Sequence, residues 1–278
     1  MSQTMATAII SKCTERIFKC MLLALLSLAF ILPIEKVHSS ELIQNITIVR
    51  GVGDYPPLEM IEDGQLTGLH IDMIRYIADK LDINVEFLSL PWGRAIQYFS
   101  SGKAHAISYY GYTKQRELHA IYHTENILSN TRWVFLALEE RKNEFSFDRN
   151  LNGLEKLVIG VQHGYSHGEY FDSMKHLVRD MVLTEFDLER MLKNKRHDLA
   201  MMSHQEFLGF KKRGDFQGIV ALTPSIDTDA QYLAFSRNIK LKGEGEVLAK
   251  AFAIEFRKYK NSQAYKNLLN RYQFQDYR

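Results

Sequence analysis

The feature that most narrows the fold is an alternation that the chain runs through twice. β-rich and helical runs follow one another as "NITIVRG", "LHIDMIRYIADKLD", "INVEFLSL", "WGRAIQYFSS" and "AHAISYY". In the first helical run Ile71, Ile74, Ile77, Ala78 and Leu81 recur on one helix face, and Asp72 stands where it can cap the start. Pro91 precedes the second helical run and Gly102 closes it, while "EDGQLTG" between the first strand and the first helix reads as a hairpin or loop. A β-α-β-α-β series implies a parallel sheet with helices packed on it.

The same order restarts at "LEKLVIGVQHG", with a helix from about Gly168, then "DMVLT", "EFDLERMLKN" and "HDLAMMS". A local echo supports the repeat: "AIQYFSSGKAHAIS" and "LERMLKNKRHDLAMMS" both run from a helix through a short basic turn into a small apolar strand. Two long β-rich runs, "NTRWVFLALEE" and "DTDAQYLAFSRN", stand outside the series, and the chain ends in two helical runs, "GEVLAKAFAIEFRKY" and "SQAYKNLLNRY". The expectation is a pair of α/β lobes with the chain crossing between them twice. The first lobe is discontinuous, 40–136 plus 233–278, and the second is 137–232. Ligands of open α/β sheets sit beyond the carboxyl ends of the strands, which here would line a cleft between the lobes.

Residues 1–39 are set apart as a secretory signal peptide. Lys12, Arg16 and Lys19 precede an apolar run from Met21 to Ile34, broken only by Ser27 and Pro33 and too short for a comfortable membrane span. Val37 and Ser39 then fit a small-residue cleavage site; an uncleaved anchor is the alternative. Both cysteines, Cys13 and Cys20, fall in this leader, so the remainder can form no disulfide, thiol nucleophile or cysteine-ligated metal site. Four of the 35 Lys and Arg and two of the 33 Asp and Glu also fall there, which leaves 31 of each sign beyond it. A balanced charge of that kind argues against nucleic acid as a partner.

The stretch "SYYGYTKQR", Ser108 to Arg116, gathers aromatic and polar tips at the end of one predicted strand. It belongs to a larger set of motifs: Tyr55-Pro56-Pro57, "GQLTGLHID", "ADKL", "PWGRAIQYFSSGKAHAI", Thr113 to Arg116, "LNGLEKLVIGVQHG" and "RHDLA". In this order, after a leader, they make the chain resemble the family 3 solute-binding proteins, the bilobal receptors of polar amino-acid ABC transporters. The resemblance covers nearly all of the chain beyond the leader. It implies a type II periplasmic-binding-protein fold and a monomeric, non-enzymatic periplasmic receptor with no cofactor. Such a receptor closes over a small solute and presents it to a membrane permease. The chain has no G-x-x-x-x-G-K-[ST] loop and no hydrophobic run after the leader, so ATPase and permease would be separate chains.

The resemblance assigns Arg116 to the ligand's carboxylate, a role suited to the planar fork of a guanidinium. Thr113 has two roles open, as a second donor to that carboxylate or as the cap of the following helix. Tyr55, Trp92 and Tyr110 are aromatic candidates for the cleft wall, with packing as the competing role. Because side chains alternate along a strand, Tyr109 and Tyr110 are not expected to face the cleft together. In the second lobe Gly164, Tyr165 and Ser166 match the family's ligand-contacting loop, and the backbone there, ahead of a helix, suits an anion. The spacings of His163 with His167 and of His119 with His123 supply no third metal ligand.

Two departures from the family pattern stand out. His105 replaces the usual aspartate of "G-K-x-D-A", which concerns packing and pH response. Ser203 stands where amino-acid receptors place the acid that holds the ammonium, five residues after Asp198, with Glu206 as a possible neighbour. A carboxylate-bearing ligand is therefore better supported than an α-amino acid. The competing classes are a dehydratase-like enzyme, with His105, Glu125 and Asp198 as raw material, and a sensory receptor that does not transport.

Overall fold

The computed structural model describes residues 43–148, 150–238 and 244–275. The leader and its cleavage site lie outside the described residues. Seven α-helices and twelve strands are distinguished among the described residues. The first lobe opens with β1 (Asn45–Gly51), the hairpin β2 (Met60–Glu62) and β3 (Gln65–Thr67), and α1 (Leu69–Lys80). It continues through β4 (Asn84–Leu90), α2 (Trp92–Ser100), β5 (Ala106–Gly111) and the short β6 (Ala120–Ile121). β7 (Ile127–Leu138) leads into the second lobe: β8 (Val158–Gln162), α3 (Glu169–Ser173), β9 (Val178–Val182), α4 (Glu185–Lys193), β10 (Leu199–Ser203), α5 (His204–Arg213) and β11 (Ile219–Ala221). β12 (Asp227–Ser236) returns the chain to α6 (Glu244–Lys260) and α7 (Gln263–Tyr272).

The repeat read from the sequence is present. β1 pairs in parallel with β4 on one side and β5 on the other, and β8 does the same with β9 and β10. The two triplets belong to one path, β4-β1-β5-β12-β7-β10-β8-β9. Its centre is formed by the two long strands outside the repeat. The first half of β7 pairs with β12 and its second half with β10 and β11, whereas β12 also pairs with β5 and β6. Each is therefore shared between lobes, as expected of crossover strands.

Burial follows the periodicity. Leu69, Met73, Ile74, Ile77 and Ala78 of α1 pack with Ile46 and Ile48 of β1 and with Leu248, Phe252 and Phe256 of α6. Phe135 of β7 clusters with Ile159, Leu199 and Met201 of the second lobe, and Leu136 of β7 with Leu188, Ala200 and Phe210. The α1 cap differs from expectation. Gly68, at φ 119°, holds the N-cap position with no side-chain bond, and Asp72 lies within the first turn. Its carboxylate instead accepts from the Tyr272 hydroxyl at 2.7 Å, tying α1 to α7. A side chain at position 68 would run into the Leu58 carbonyl, so only glycine brings the loop and the helix start this close.

α4 carries a complete capping box. Thr184 Oγ1 accepts from the Asp187 amide at 3.1 Å, and the Asp187 carboxylate accepts from the Thr184 amide at 3.2 Å. Thr184→Ala is expected to lower stability by about 1 kcal/mol. In a domain of this size that is a fall of roughly 2–4 °C in melting temperature, measurable by calorimetry. α5 is the helix that the pattern reading missed. It follows "HDLAMMS" without a break, capped by Ser203 and ended by Gly214 at φ 96°.

Candidate functional site

The carboxyl ends of β1 and β5 and the start of α2 meet the loop after β8. Tyr55 follows β1, and its hydroxyl lies 2.7 Å from the Tyr165 hydroxyl. Trp92 opens α2; its indole N–H donates to the Gly164 carbonyl at 2.9 Å, and its ring lies 5.1 Å from that of Tyr165. Arg116 donates to the Gly111 carbonyl at 2.9 Å and, through its other terminal nitrogen, to the same Gly164 carbonyl at 3.1 Å. Two donors from the first lobe thus converge on one acceptor in the second. Gly164 adopts φ 79°, a conformation that favours glycine.

Beneath Arg116 lies Tyr110. It is fully buried, with the guanidinium carbon 4.2 Å from its ring centroid and its hydroxyl 3.1 Å from His119. Its ring is therefore the floor under the cation. Tyr109 is the tyrosine that reaches the cleft cavity, and it does so at φ 53°, departing from regular strand geometry. Thr113 Oγ1 accepts from the Arg116 amide at 3.1 Å, which is the capping arrangement. Ser166 donates to Asp172 at 2.8 Å. Ser203 is buried, accepts from the Glu206 amide at 3.4 Å and donates to Gln205.

Trp92, Tyr109, Gly111, Arg116, Trp133, Tyr165, Ser166 and Gln231 enclose a space of only about 10 Å³. That is room for roughly one water. A larger cavity of about 870 Å³ lies between α5 and the C-terminal segment, lined by Pro57, Leu208, Lys212, Arg271 and Phe274 among others. Its cations are engaged: Lys212 with Gln273, Arg213 with Asp54 and Arg271 with Asp72. The smaller space holds the convergent polar groups and the aromatic walls, and we take it as the candidate site. Trp133 and Gln231 come from the crossover strands, where no motif marks them. Only their register, Gln231 opposite Gly111 and Asp227 opposite Trp133, brings them to the site.

The second-lobe loop meets carboxylates. α3 is five residues long, and Asp172 already accepts from the His167 amide. A side chain at Gly168 would meet the carboxylates of Asp227 and Asp229. Burial and the neighbouring charge of Asp227 push Asp229 up to about 6, although the Trp133 indole N–H opposes this from 3.1 Å. Two further acids sit where the lobes touch. Burial raises Glu185 to about 7. Burial and then the charge of Glu185 raise Glu206 to about 8, with the Tyr109 hydroxyl working the other way. Burial lowers His167 to about 3, helped by the charges of Arg179 and Arg116.

The residues weighed for catalysis are dispersed. His105 Nδ1 accepts from the Thr47 amide at 2.9 Å, and burial lowers its pKa. Asp198 accepts from the Val158 amide and from Arg141. The Glu125 amide donates to His123. The three stand on separate segments of the chain, just before β5, β7 and β10.

The model of the bacterial extracellular solute-binding proteins, family 3, matches residues 48–276. The chain belongs to that family. Its fold is the type II periplasmic-binding-protein fold, two α/β lobes joined by two crossover strands. Among solved structures it is similar to an amino acid ABC transporter substrate-binding protein from Streptococcus pneumoniae bound to L-arginine, with 19% identity and a TM-score of 0.67 over 84% of this chain and 95% of that one. A histidine kinase sensor domain with similarity to periplasmic binding proteins superposes with a TM-score of 0.70 at 18% identity, over 82% and 96% of the two chains. The ancestral amino-acid-binding protein AncCDT-1, a precursor of cyclohexadienyl dehydratase, does so with a TM-score of 0.65 at 16% identity, over 82% and 95%. No curated protein matches the sequence.

Proposed function

We propose that this family member is a periplasmic receptor for a small carboxylate-bearing solute, exported by its leader and acting as a monomer. The lobes are 40–136 with 233–278, and 137–232. They part to admit the solute, close over it, and present it to the permease of an ABC transporter. Among the described residues no helix is long and apolar enough to cross a membrane, which fits a permease on another chain.

The observation that carries the reading is Arg116, held over the Tyr110 ring, with one terminal nitrogen anchored by the Gly111 carbonyl of its own lobe and the other reaching Gly164 across the cleft. Its present partner across the cleft is a carbonyl oxygen, and a solute carboxylate would take the place of Gly164 in a stronger, charge-assisted pair. With about 10 Å³ between the walls, entry requires the Gly164 carbonyl to withdraw. Tyr55, Trp92, Tyr165 and Ser166 then form the remaining walls, while Tyr110, Thr113 and Ser203 support them from behind. A cationic group on the solute would find Glu206 one helical turn beyond Ser203, so an amino acid is accommodated without the usual acid at position 203.

A thermal-shift screen over amino acids and small organic acids is the test. At least one acid should raise the melting temperature, and Arg116→Ala should abolish that rise while the variant alone still unfolds in a cooperative transition. A flat response across the screen would sink the proposal. Transport and signalling separate on whether a permease binds the solute-loaded form.

A further inference from the structure

Glu185 and Glu206 form a feature that solute recognition does not by itself explain. Both are more than nine-tenths buried, at 4% and 3% exposure, and both belong to the second lobe. They lie against first-lobe groups. Glu206, on α5, is faced by Tyr109 of β5, by Glu59 and Tyr55 of the loop after β1, and by Glu185 and Tyr165 of its own lobe. Glu185, at the start of α4, accepts from the side-chain Nε2 of Gln162 on β8 and is faced by Asp54, Arg50, Tyr55, Tyr165 and Glu206.

The cation in this company is Arg50, and it is committed elsewhere. Its Nε donates to Glu59 at 2.9 Å, and its terminal nitrogens donate to Ser89 and to the Gly53 carbonyl. Among the described residues no ion pair involves Glu185 or Glu206. Two carboxyls are thus enclosed at the contact between lobes with no counter-ion, beside the hydroxyl pair of Tyr55 and Tyr165. Parting the lobes would return both to water, where ionised carboxylates are best solvated.

We infer that closing of the cleft is coupled to proton uptake at Glu185 and Glu206, so that rising pH opens it. The direction follows from linkage. A carboxyl whose pKa is raised in the closed form binds more protons there than in the open form, so closure weakens with pH above the ordinary carboxylate range. The loss continues until the raised values, about 7 and about 8, are passed. Within that window the closed-to-open ratio falls about tenfold per pH unit for each proton taken up. A cationic group of a solute seated between the acids would take the place of the protons. The inference rests on the reading of the molecule as one that opens and closes.

The chain contains two tryptophans, and both line the cleft. Intrinsic fluorescence of the full chain, without any solute, therefore reports the seam. Between pH 5 and pH 9 emission should shift to the red as Trp92 leaves the Gly164 carbonyl, with the change complete once pH has passed about 8. The radius of gyration from small-angle scattering should rise in step. Glu185→Gln and Glu206→Gln mimic the protonated acids. Each should move the transition, and together they should hold the protein compact throughout. A transition unchanged in the double variant overturns the inference, as does wild-type protein that neither expands nor shifts over the range. Scattering of the unsubstituted protein decides the matter even if the double variant fails to fold. Because no solute is used, a failed thermal-shift screen would leave this result standing.

Discussion

Arg50→Met is expected to destabilise the first lobe by about 3–5 kcal/mol, the usual cost of stripping one partner from a buried ion pair. That corresponds to a fall of roughly 6–20 °C in melting temperature for a domain of this size. Arg50 is fully buried, and its guanidinium bonds the Glu59 carboxylate, the Ser89 hydroxyl and the Gly53 carbonyl. Removing it leaves Glu59, itself 1% exposed, with the His70 ring, its Nδ1 3.5 Å away, as its nearest remaining partner.

The pH dependence is diagnostic. Burial alone would raise Glu59, but His70 and Arg50 outweigh it and hold the carboxyl down to about 2. A depressed carboxyl contributes stability that is present above its unfolded value and lost as pH falls through the folded one. The gap between wild type and Arg50→Met should therefore be widest above pH 5 and narrow toward pH 2. Glu59→Gln in the Arg50→Met background should recover part of the loss, because it removes the stranded charge. Calorimetry of the three proteins at several pH values checks this. A single-variant loss below about 1 kcal/mol would mean that the pair is not the anchor described here.

Most of the architecture was legible because it rests on periodicity, which a single sequence displays. The two β-α-β-α-β series, the crossover strands and the C-terminal helices all follow from where apolar residues recur. α5 escaped because Ser203 serves as both the last residue of β10 and the cap of the helix, so no turn residues separate the two. Its apolar face is thin, with Phe207 and Phe210 buried beside the polar Gln205 and Glu206. The site was legible in its motif residues and not in the rest. Tyr109 reaches the cleft through a positive φ that breaks strand alternation, and alternation was the rule applied to it. Trp133 and Gln231 depend on strand register, and the enclosure of Glu185 and Glu206 without a salt-bridge partner depends on which lobe each neighbour comes from. Neither is a local property of the chain.

The helix that periodicity missed also holds the second large expected effect, Gly209→Ala. Gly209 lies within α5, where alanine is favoured over glycine by about 1 kcal/mol. On local grounds the substitution should stabilise. Yet a Cβ at this position would stand 2.2 Å from the Pro56 carbonyl oxygen and 2.6 Å from its carbon. These are backbone atoms of the first lobe, so no flexible side chain can swing away. The helix and the Pro56 loop must separate, and their separation is the opening of the seam. Overpacking of this kind costs about 1–3 kcal/mol, which lowers the closed-to-open ratio by roughly five- to 150-fold. The variant should therefore show a larger radius of gyration and red-shifted tryptophan emission at pH 6, with helix content unchanged by circular dichroism. Leu208→Ala, half-exposed on the same helix, is the control and should leave both readouts near wild type. If Gly209→Ala keeps the wild-type radius and emission, the contact with Pro56 does not govern closure.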